Sequence, residues 1–346
     1  MAQAGGGIGN VIANASLVEM AMAYSRSRVV CAAARLGVAD ALGEEERGVE
    51  ELATDCQADG DALYRLLRAM ASIGVTEETA PGRFRLTSVG RPLRKDVPGS
   101  VWAAVVFWGD LLADEWSLLT ECVRAGKPAR EVRAANVPSR WSQDPEASAV
   151  FRAVMGTAPA QDYAPIARAW DFSSAKVVAD LGGGGGSLVL AVLERYPQVR
   201  GMLVDLEPSV EAAKARFATE KDAARCELVV ADLMQAVPAG ADVYMIKHVL
   251  HGRTDADAIV MLKNCRAAMK EDGALLVMEF VLPDVVSNAD AQLETHLMSD
   301  LNMLTVTGGR ERSEREWRVL LEAAGFRLAG VTAVGSDVGI VEARPV

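Results

Sequence analysis

The chain has 346 residues, 50% of them hydrophobic and 24% charged, with a net charge of −11. That length exceeds one ordinary core, so two domains are expected. The acidic balance repels polyphosphates and argues against nucleic acid as the main partner, and no apolar run reaches the roughly 18 residues of a membrane span.

Residues 1–10, MAQAGGGIGN, read as flexible and lack the basic start and apolar block of a signal peptide. From Val11 to about Leu42 apolar residues recur at helical spacing, as at Val18, Met22, Val29, Val30 and Ala33. Gly43 and the acidic run Glu44–Glu46 end that pattern. Two shorter helices follow, near Val49–Asp55 and from Asp61 to Ile73, with Gly74 placed to cap the second in a left-handed turn. Val75–Glu77 and Phe84–Thr87 form the arms of a hairpin turning at Pro81-Gly82. Helix, helix, helix, hairpin is the order of a winged-helix unit, giving a first domain over residues 1–100. Such a unit can read DNA. However, these hundred residues hold 11 Lys/Arg against 13 Asp/Glu, with only Arg83 and Arg85 on the wing, so the basic face of a DNA reader is missing.

Residues 101–170 read as a helical connector that covers an active site. Trp102, Trp108, Trp116, Trp141 and Trp170 cluster there, with breaks near Gly126–Pro128 and Pro138. From 171 to 346 short apolar strands alternate with helices. Val177–Leu181, Met202–Asp205, Glu227–Ala231, Val243–Lys247 and Ala274–Phe280 are the strands, and segments near 187–195, 208–219 and 256–270 are the helices. That alternation predicts a parallel, doubly wound α/β sheet, which Phe326–Val331 and Gly339–Ala343 could close as a hairpin. The five cysteines (Cys31, Cys56, Cys122, Cys226, Cys265) contain no CxxC pair. Reduced thiols in a cytoplasmic protein fit them better than a disulfide framework or a zinc site.

The chemistry concentrates at the strand tips. Val177–Leu181 runs into Gly182–Gly186 and then Ser187, a strand, a glycine turn and a helix start. Glycine serves where the backbone takes positive φ or approaches a ligand, and helix amides then face the ligand. A dinucleotide fingerprint, GxGxxG, needs a third glycine where Ser187 or Leu188 stands, so that spacing fails. The pattern Asp180-x-Gly182-x-Gly184-x-Gly186 fits a nucleoside binder; alone, such a run also reads as a flexible loop. Asp205 ends the second strand, where a carboxylate can hold ribose hydroxyls. Asp232 follows the third, placed for an adenine amino group with Leu233 against the ring. Each acid alone reads as a surface charge; together they mark one ligand edge.

The stretches DLGGGGGS (180–187), RYPQVRGMLVDLE (195–207), ADVYMIKHVLHGRTDADA (241–258), LLVMEFVLP (275–283) and DLNMLTVTGGRERSEREW (300–317) carry a resemblance. The chain resembles, over nearly its whole length, the bacterial and plant small-molecule O-methyltransferases. The resemblance implies a mainly helical winged-helix dimerisation domain before a Rossmann-like α/β domain with a mostly parallel sheet. That second domain binds S-adenosylmethionine (SAM), giving S-adenosylhomocysteine as product. It further implies a homodimer joined through the N-terminal domain, and a phenolic or enolic hydroxyl of an aromatic or polyketide-like secondary metabolite as acceptor. Cofactor contacts then fall on Gly182, Gly184, Asp205, Leu206, Asp232, Leu233 and Lys247.

His251 lies just past the fourth strand. By the resemblance it is a general base, supported by Glu279 and Glu311. The competing reading of Glu311 is a helix-start charge paired with Arg312 or Arg315. His248 reads as packing or bonding backbone. In the family the helix bearing His296, Met298, Asn302 and Met303 lines the acceptor pocket, and Trp108, Phe151 and Met155 are further walls; each could equally be plain core. Three positions depart from the family: Gly185 replaces threonine, Glu207 replaces proline, and His251-Gly252-Arg253 replaces His-Asp-Trp. The last departure removes an acid beside the base. It keeps two alternatives open, metal-assisted C-methylation of an α-ketoacid through the histidines and SAM-bound chemistry without methyl transfer. No ligand spacing supports a metal.

Overall fold

The computed structural model describes residues 16–133, 144–156, 163–286, 291–335 and 338–346. These fall into two units. The first holds the chain through Asp114 together with 144–156; the second holds 115–133 and everything described from 163 onward. The connector expected over 101–170 is therefore no separate body. Its early part packs within the first unit, where Trp102 donates its indole N–H to Ala34 O at 3.0 Å. Its middle packs within the second, where Trp116 donates to Asn302 Oδ1 at 3.0 Å.

In the first unit, α1 (Tyr24–Arg35), α2 (Val38–Leu42), α3 (Val49–Asp55) and α4 (Gly60–Ser72) bracket short strands β1 (Arg47–Gly48), β2 (Thr76–Ala80) and β3 (Arg83–Leu86). The single helix expected through Leu42 is interrupted, because Gly37 takes φ 70° and turns the chain between α1 and α2. Gly74, at φ 79°, closes α4 as expected. Strand order β1-β3-β2 gives the wing a third strand, which two residues cannot announce by periodicity. Leu42, Leu52, Leu63, Leu67, Met70 and Phe84 are fully buried here. Residues 107–111 form a π-helical turn, where the sequence suggested an ordinary helix.

The second unit is built on a seven-stranded sheet. Its strands are β4 (Val177–Leu181), β5 (Arg200–Asp205), β6 (Cys226–Val230), β7 (Val243–Lys247), β8 (Ala274–Glu279), β11 (Phe326–Val334) and β12 (Val338–Pro345), joined by a small pair β9 (Val281–Leu282) and β10 (Arg312–Ser313). The order is β11-β12-β8-β7-β4-β5-β6. Strands β8, β7, β4, β5 and β6 are parallel, and β12 and β11 close the sheet antiparallel, as the sequence predicts. Helices α5 (Ser187–Arg195), α6 (Glu207–Phe217), α7 (Asp255–Ala268), α8 (Ala291–Val306) and α9 (Glu314–Ala323) belong to this unit.

Because side chains alternate along a strand, a sheet covered on both faces needs two apolar sets. Val178, Leu203, Met245 and Leu276 pack with Leu188, Val189 and Val192 of α5. Ala179, Leu181, Tyr244, Ile246 and Val277 pack with Met261 and Leu262 of α7 and with Trp317 and Leu321 of α9. Each large side chain so buried contributes about 1.5–3 kcal/mol, and Leu262→Ala would cost about 2–5 kcal/mol. Strand β4 lies between β5 and β7, so the chain departs to opposite sides there. The carboxyl ends of β4, β5 and β7 thus open the crevice where such sheets bind ligands.

Candidate active site

At the tip of β4, Gly182, Gly184 and Gly186 take φ of 68°, 54° and 74°, a region L side chains avoid. A Cβ on Gly183 would stand 2.5 Å from Leu203 Cδ1 and 2.6 Å from the Asp180 carboxylate. Gly184 is different: nothing lies within 4 Å of the same position, so its face is open. Its N–H donates to Asp205 Oδ2 at 2.8 Å, while Leu206 N–H donates to Asp205 Oδ1 at 2.7 Å. The carboxylate at the second strand tip therefore fixes the glycine loop beside it.

Asp180 plays another part than a ligand-edge acid. It is 1% exposed and accepts Val189 N–H at 3.2 Å, tying β4 to α5. Burial pushes its carboxyl up to about 7, with nearby Asp205 adding to the rise and the Val189 amide and Lys247 opposing it. Asp232 is exposed after β6 and accepts Met234 N–H at 2.9 Å. Leu206 is exposed as well. Leu233, expected against an adenine ring, instead buries its side chain in the core with Ile246 and Leu262. Lys247 ends β7 with its ammonium 5.3 Å from the centre of the Tyr163 ring. An open glycine, a carboxylate and an exposed apolar side chain along one rim suit a nucleoside.

Three histidines gather past β7 and β8. Glu279 ends β8 fully buried, and its Oε1 accepts the N–H groups of Val249, Leu250 and His251 at 3.1, 3.0 and 3.3 Å. Its Oε2 lies 3.2 Å from His248 Nδ1 and 3.6 Å from His251 Nδ1. Burial works to raise the Glu279 pKa, but the two imidazoles and the backbone amides outweigh it and hold the group below its ordinary value. His251 Nδ1 meets Glu311 Oε1 at 2.8 Å. Burial alone would lower the His251 pKa and Lys247 adds to that, yet Glu279 and Glu311 together raise it. Both Nδ1 atoms face carboxylates, so protonation there leaves Nε2 as the basic nitrogen of His251.

Glu311 reaches His251 through a connection the sequence does not announce. Parallel pairing of β10 with β9 aligns Arg312 with Val281, next to the end of β8. Arg312, 1% exposed, donates to Leu250 O and Arg253 O at 3.1 Å each and pairs with Asp255 at 2.7 Å, so it pins the His251 loop. Ser313 then caps α9 in a reciprocal box with Glu316. Arg312 pairs with Asp255, and Arg315 with Asp284 at 3.6 Å; neither is the partner of Glu311. Gly252-Arg253 thus removes a neighbouring acid, while two carboxylates from elsewhere face the imidazole.

On α8, His296 stacks on Phe280 with ring centres 4.1 Å apart, and Phe280 in turn meets His248 at 5.1 Å. Met298 is exposed and Met303 half-buried. Asn302, expected to line the pocket, is buried with its carbonyl taken by Trp116. Trp108 and Phe151 belong to the first unit, each set against Phe107; the Met155 side chain lies outside the described residues. Among the described residues, His248, His251 and Glu279 bring three donor atoms within 4.8 Å of one another. His248 Nδ1 faces Glu279 Oε2, His251 Nδ1 faces Glu311 Oε1, and Glu279 Oε1 accepts backbone N–H groups, so the set forms a hydrogen-bonded cluster. Ser299 and Asp300, which the sequence reading missed, both bond Glu311.

A doubly wound sheet with an acid-fixed glycine loop and an adjacent imidazole–carboxylate cluster defines the SAM-dependent methyltransferase class. The family described as O-methyltransferase domain matches residues 116–327, and the O-methyltransferase dimerisation domain matches residues 18–96. The chain is 38% identical to the O-demethylpuromycin-O-methyltransferase of Streptomyces alboniger over 95% of this chain and 89% of that one. Among solved structures, a mitomycin 7-O-methyltransferase superposes with a TM-score of 0.88 at 33% identity, covering 99% of this chain and all of that one. A neocarzinostatin-biosynthesis O-methyltransferase, solved with SAM and 2-hydroxy-5-methyl naphthoic acid, gives 0.78 at 32% identity over 92% and 96%. The chain belongs to the O-methyltransferase family. It is a SAM-dependent enzyme that methylates hydroxyl groups. Among the described residues no helix is long and apolar enough to cross a membrane.

Proposed function

We propose that His251 is the general base for methylation of a phenolic or enolic hydroxyl on a planar aromatic or polyketide-like secondary metabolite. The observation that carries this reading is the pair of buried carboxylates, Glu311 at 2.8 Å and Glu279 at 3.6 Å, on His251 Nδ1. When bound, the sulfonium supplies an already activated methyl group. What the chain must add is acceptor placement and proton removal. A phenol near pKa ~10 loses its proton to an imidazole at neutral pH, a contribution of roughly 10²–10⁴-fold. Glu279 and Glu311 hold the Nδ1–H tautomer and stabilise the imidazolium that forms.

Gly182, Gly184, Asp205, Leu206, Asp232 and Lys247 hold the cofactor in this reading. Asp205 takes the ribose, and the exposed Leu206 lies against the adenine. His296, Met298 and Met303 on α8 face the acceptor. The first unit pairs two copies of the chain. Leu17, Val18, Met20 and Met22 stand exposed along the helical residues 16–22, which supports a face made for a partner. The five free thiols suit the reducing cytoplasm.

Incubation of the purified protein with SAM and a panel of hydroxynaphthoates, hydroxyquinones and simple phenols tests the proposal. It predicts a methyl ether and S-adenosylhomocysteine in equal amounts. Product methylated on carbon or nitrogen, with hydroxyls untouched, would contradict it.

A further inference from the structure

Ser299 and Asp300 are neighbours on α8, and each acts on Glu311. Ser299 Oγ donates to Glu311 Oε1 at 2.8 Å. That is the oxygen His251 Nδ1 meets, also at 2.8 Å. Asp300 Oδ1 accepts the Glu311 backbone N–H at 2.8 Å. Glu311 Oε2 is buried and has no hydrogen-bond partner among the described residues. Two donors therefore converge on one oxygen of a carboxylate that is only 2% exposed. An oxygen with two lone pairs can serve both, but each donor draws charge away from the other's bond. Turning the carboxylate plane away would strain both bonds at once, so the hydroxyl also fixes the group's orientation toward the imidazole.

We infer that Ser299 is a positioning residue that locks Glu311 toward His251 and tempers the basicity of that imidazole; its catalytic meaning rests on His251 being the base. The charged and titratable groups facing His251 are Glu279, Glu311, Lys247 and His248. Asp300, with Arg310 and Glu316 around it, faces the backbone side of Glu311. Among the described residues Ser299 is the second donor on the oxygen that His251 meets, and being uncharged it can be removed without changing the charge count.

The chain has three histidines, so imidazole signals can be followed singly by NMR, with His251→Gln identifying its own. In Ser299→Ala the freed oxygen holds Nδ1–H more strongly, and the His251 midpoint rises by about 0.5 unit, about threefold in its proton-binding constant. The acid limb of kcat/KM moves the same way, and Ser299→Thr, which keeps the hydroxyl, restores both. An unchanged or lowered midpoint in a folded Ser299→Ala protein overturns the inference. A raised midpoint with an unmoved kinetic limb upholds the Ser299 assignment and overturns the base reading instead.

Discussion

His251 and Glu311 stand 60 residues apart in sequence, yet their side chains meet at 2.8 Å. The contact depends on Arg312, the next residue along, which reaches back to the carbonyls of Leu250 and Arg253. It also depends on the two-residue pairing of β10 with β9. No acid follows His251 in sequence, yet two carboxylates face its ring: Glu279 ends β8 and Glu311 immediately precedes β10.

The acid limb of kcat/KM is expected above the ordinary imidazole value of about 6.5. Burial lowers the His251 pKa, but Glu279 and Glu311 more than offset it, so its direction is upward. The base is active only when deprotonated, and activity should rise as pH passes that raised value. The stability linkage has the opposite sense. It is fully present below about 6.5 and fades as pH climbs through the folded pKa. Initial rates across pH at low acceptor concentration check the first expectation; a limb below 6 would contradict it.

Glu311→Gln keeps the shape of the side chain and removes its charge. Turnover should drop on the order of tenfold to a hundredfold, because Glu279 still faces the ring. The acid limb should move down in pH, since one of the two charges that favour imidazolium is gone. A pH–rate profile of the variant reads both effects.

Asp205→Ala should weaken SAM binding by roughly ten- to a hundredfold, the worth of about 1.5–3 kcal/mol for hydrogen bonds to a charged group. Part of that loss comes from freeing Gly184, whose N–H the carboxylate holds. Titration calorimetry measures the affinity, and circular dichroism should show the fold retained.

Asp180 is raised to about 7 in the folded chain from an ordinary 3.8. The folded state therefore binds this proton more tightly than the unfolded state does, and stability falls as pH rises between those two values. In Asp180→Asn that loss is absent. The variant's thermal midpoint relative to wild type should be higher at about pH 8 than at about pH 5. Equal differences at the two pH values would show that Asp180 does not titrate in this window.

The sheet could be read from the sequence because its central strands β4, β7 and β8 are apolar on both faces, and β4, β5 and β8 run into glycine or acid. The place of Asp205 at a strand tip was legible because it ends an apolar run, but its hold on the Gly184 and Leu206 N–H groups was not. Gly37, β1 and β9 were not, since a single turn residue or a two-residue strand leaves no period to detect. Asn302 and Leu233 look like pocket residues in sequence, but Trp116 and the core claim them. Arg312 and Ser299 were hidden for a different reason: a charged or hydroxyl side chain reads as surface until its distant partners are known.

Single-turnover rates of His251→Ala against wild type, with SAM affinity measured on the same samples, test the central claim most directly. The expected result is a methyl-transfer rate lower by roughly a hundredfold or more with SAM binding unchanged. Transfer at the wild-type rate would show that the acceptor's proton leaves by another route and that His251 is not the base.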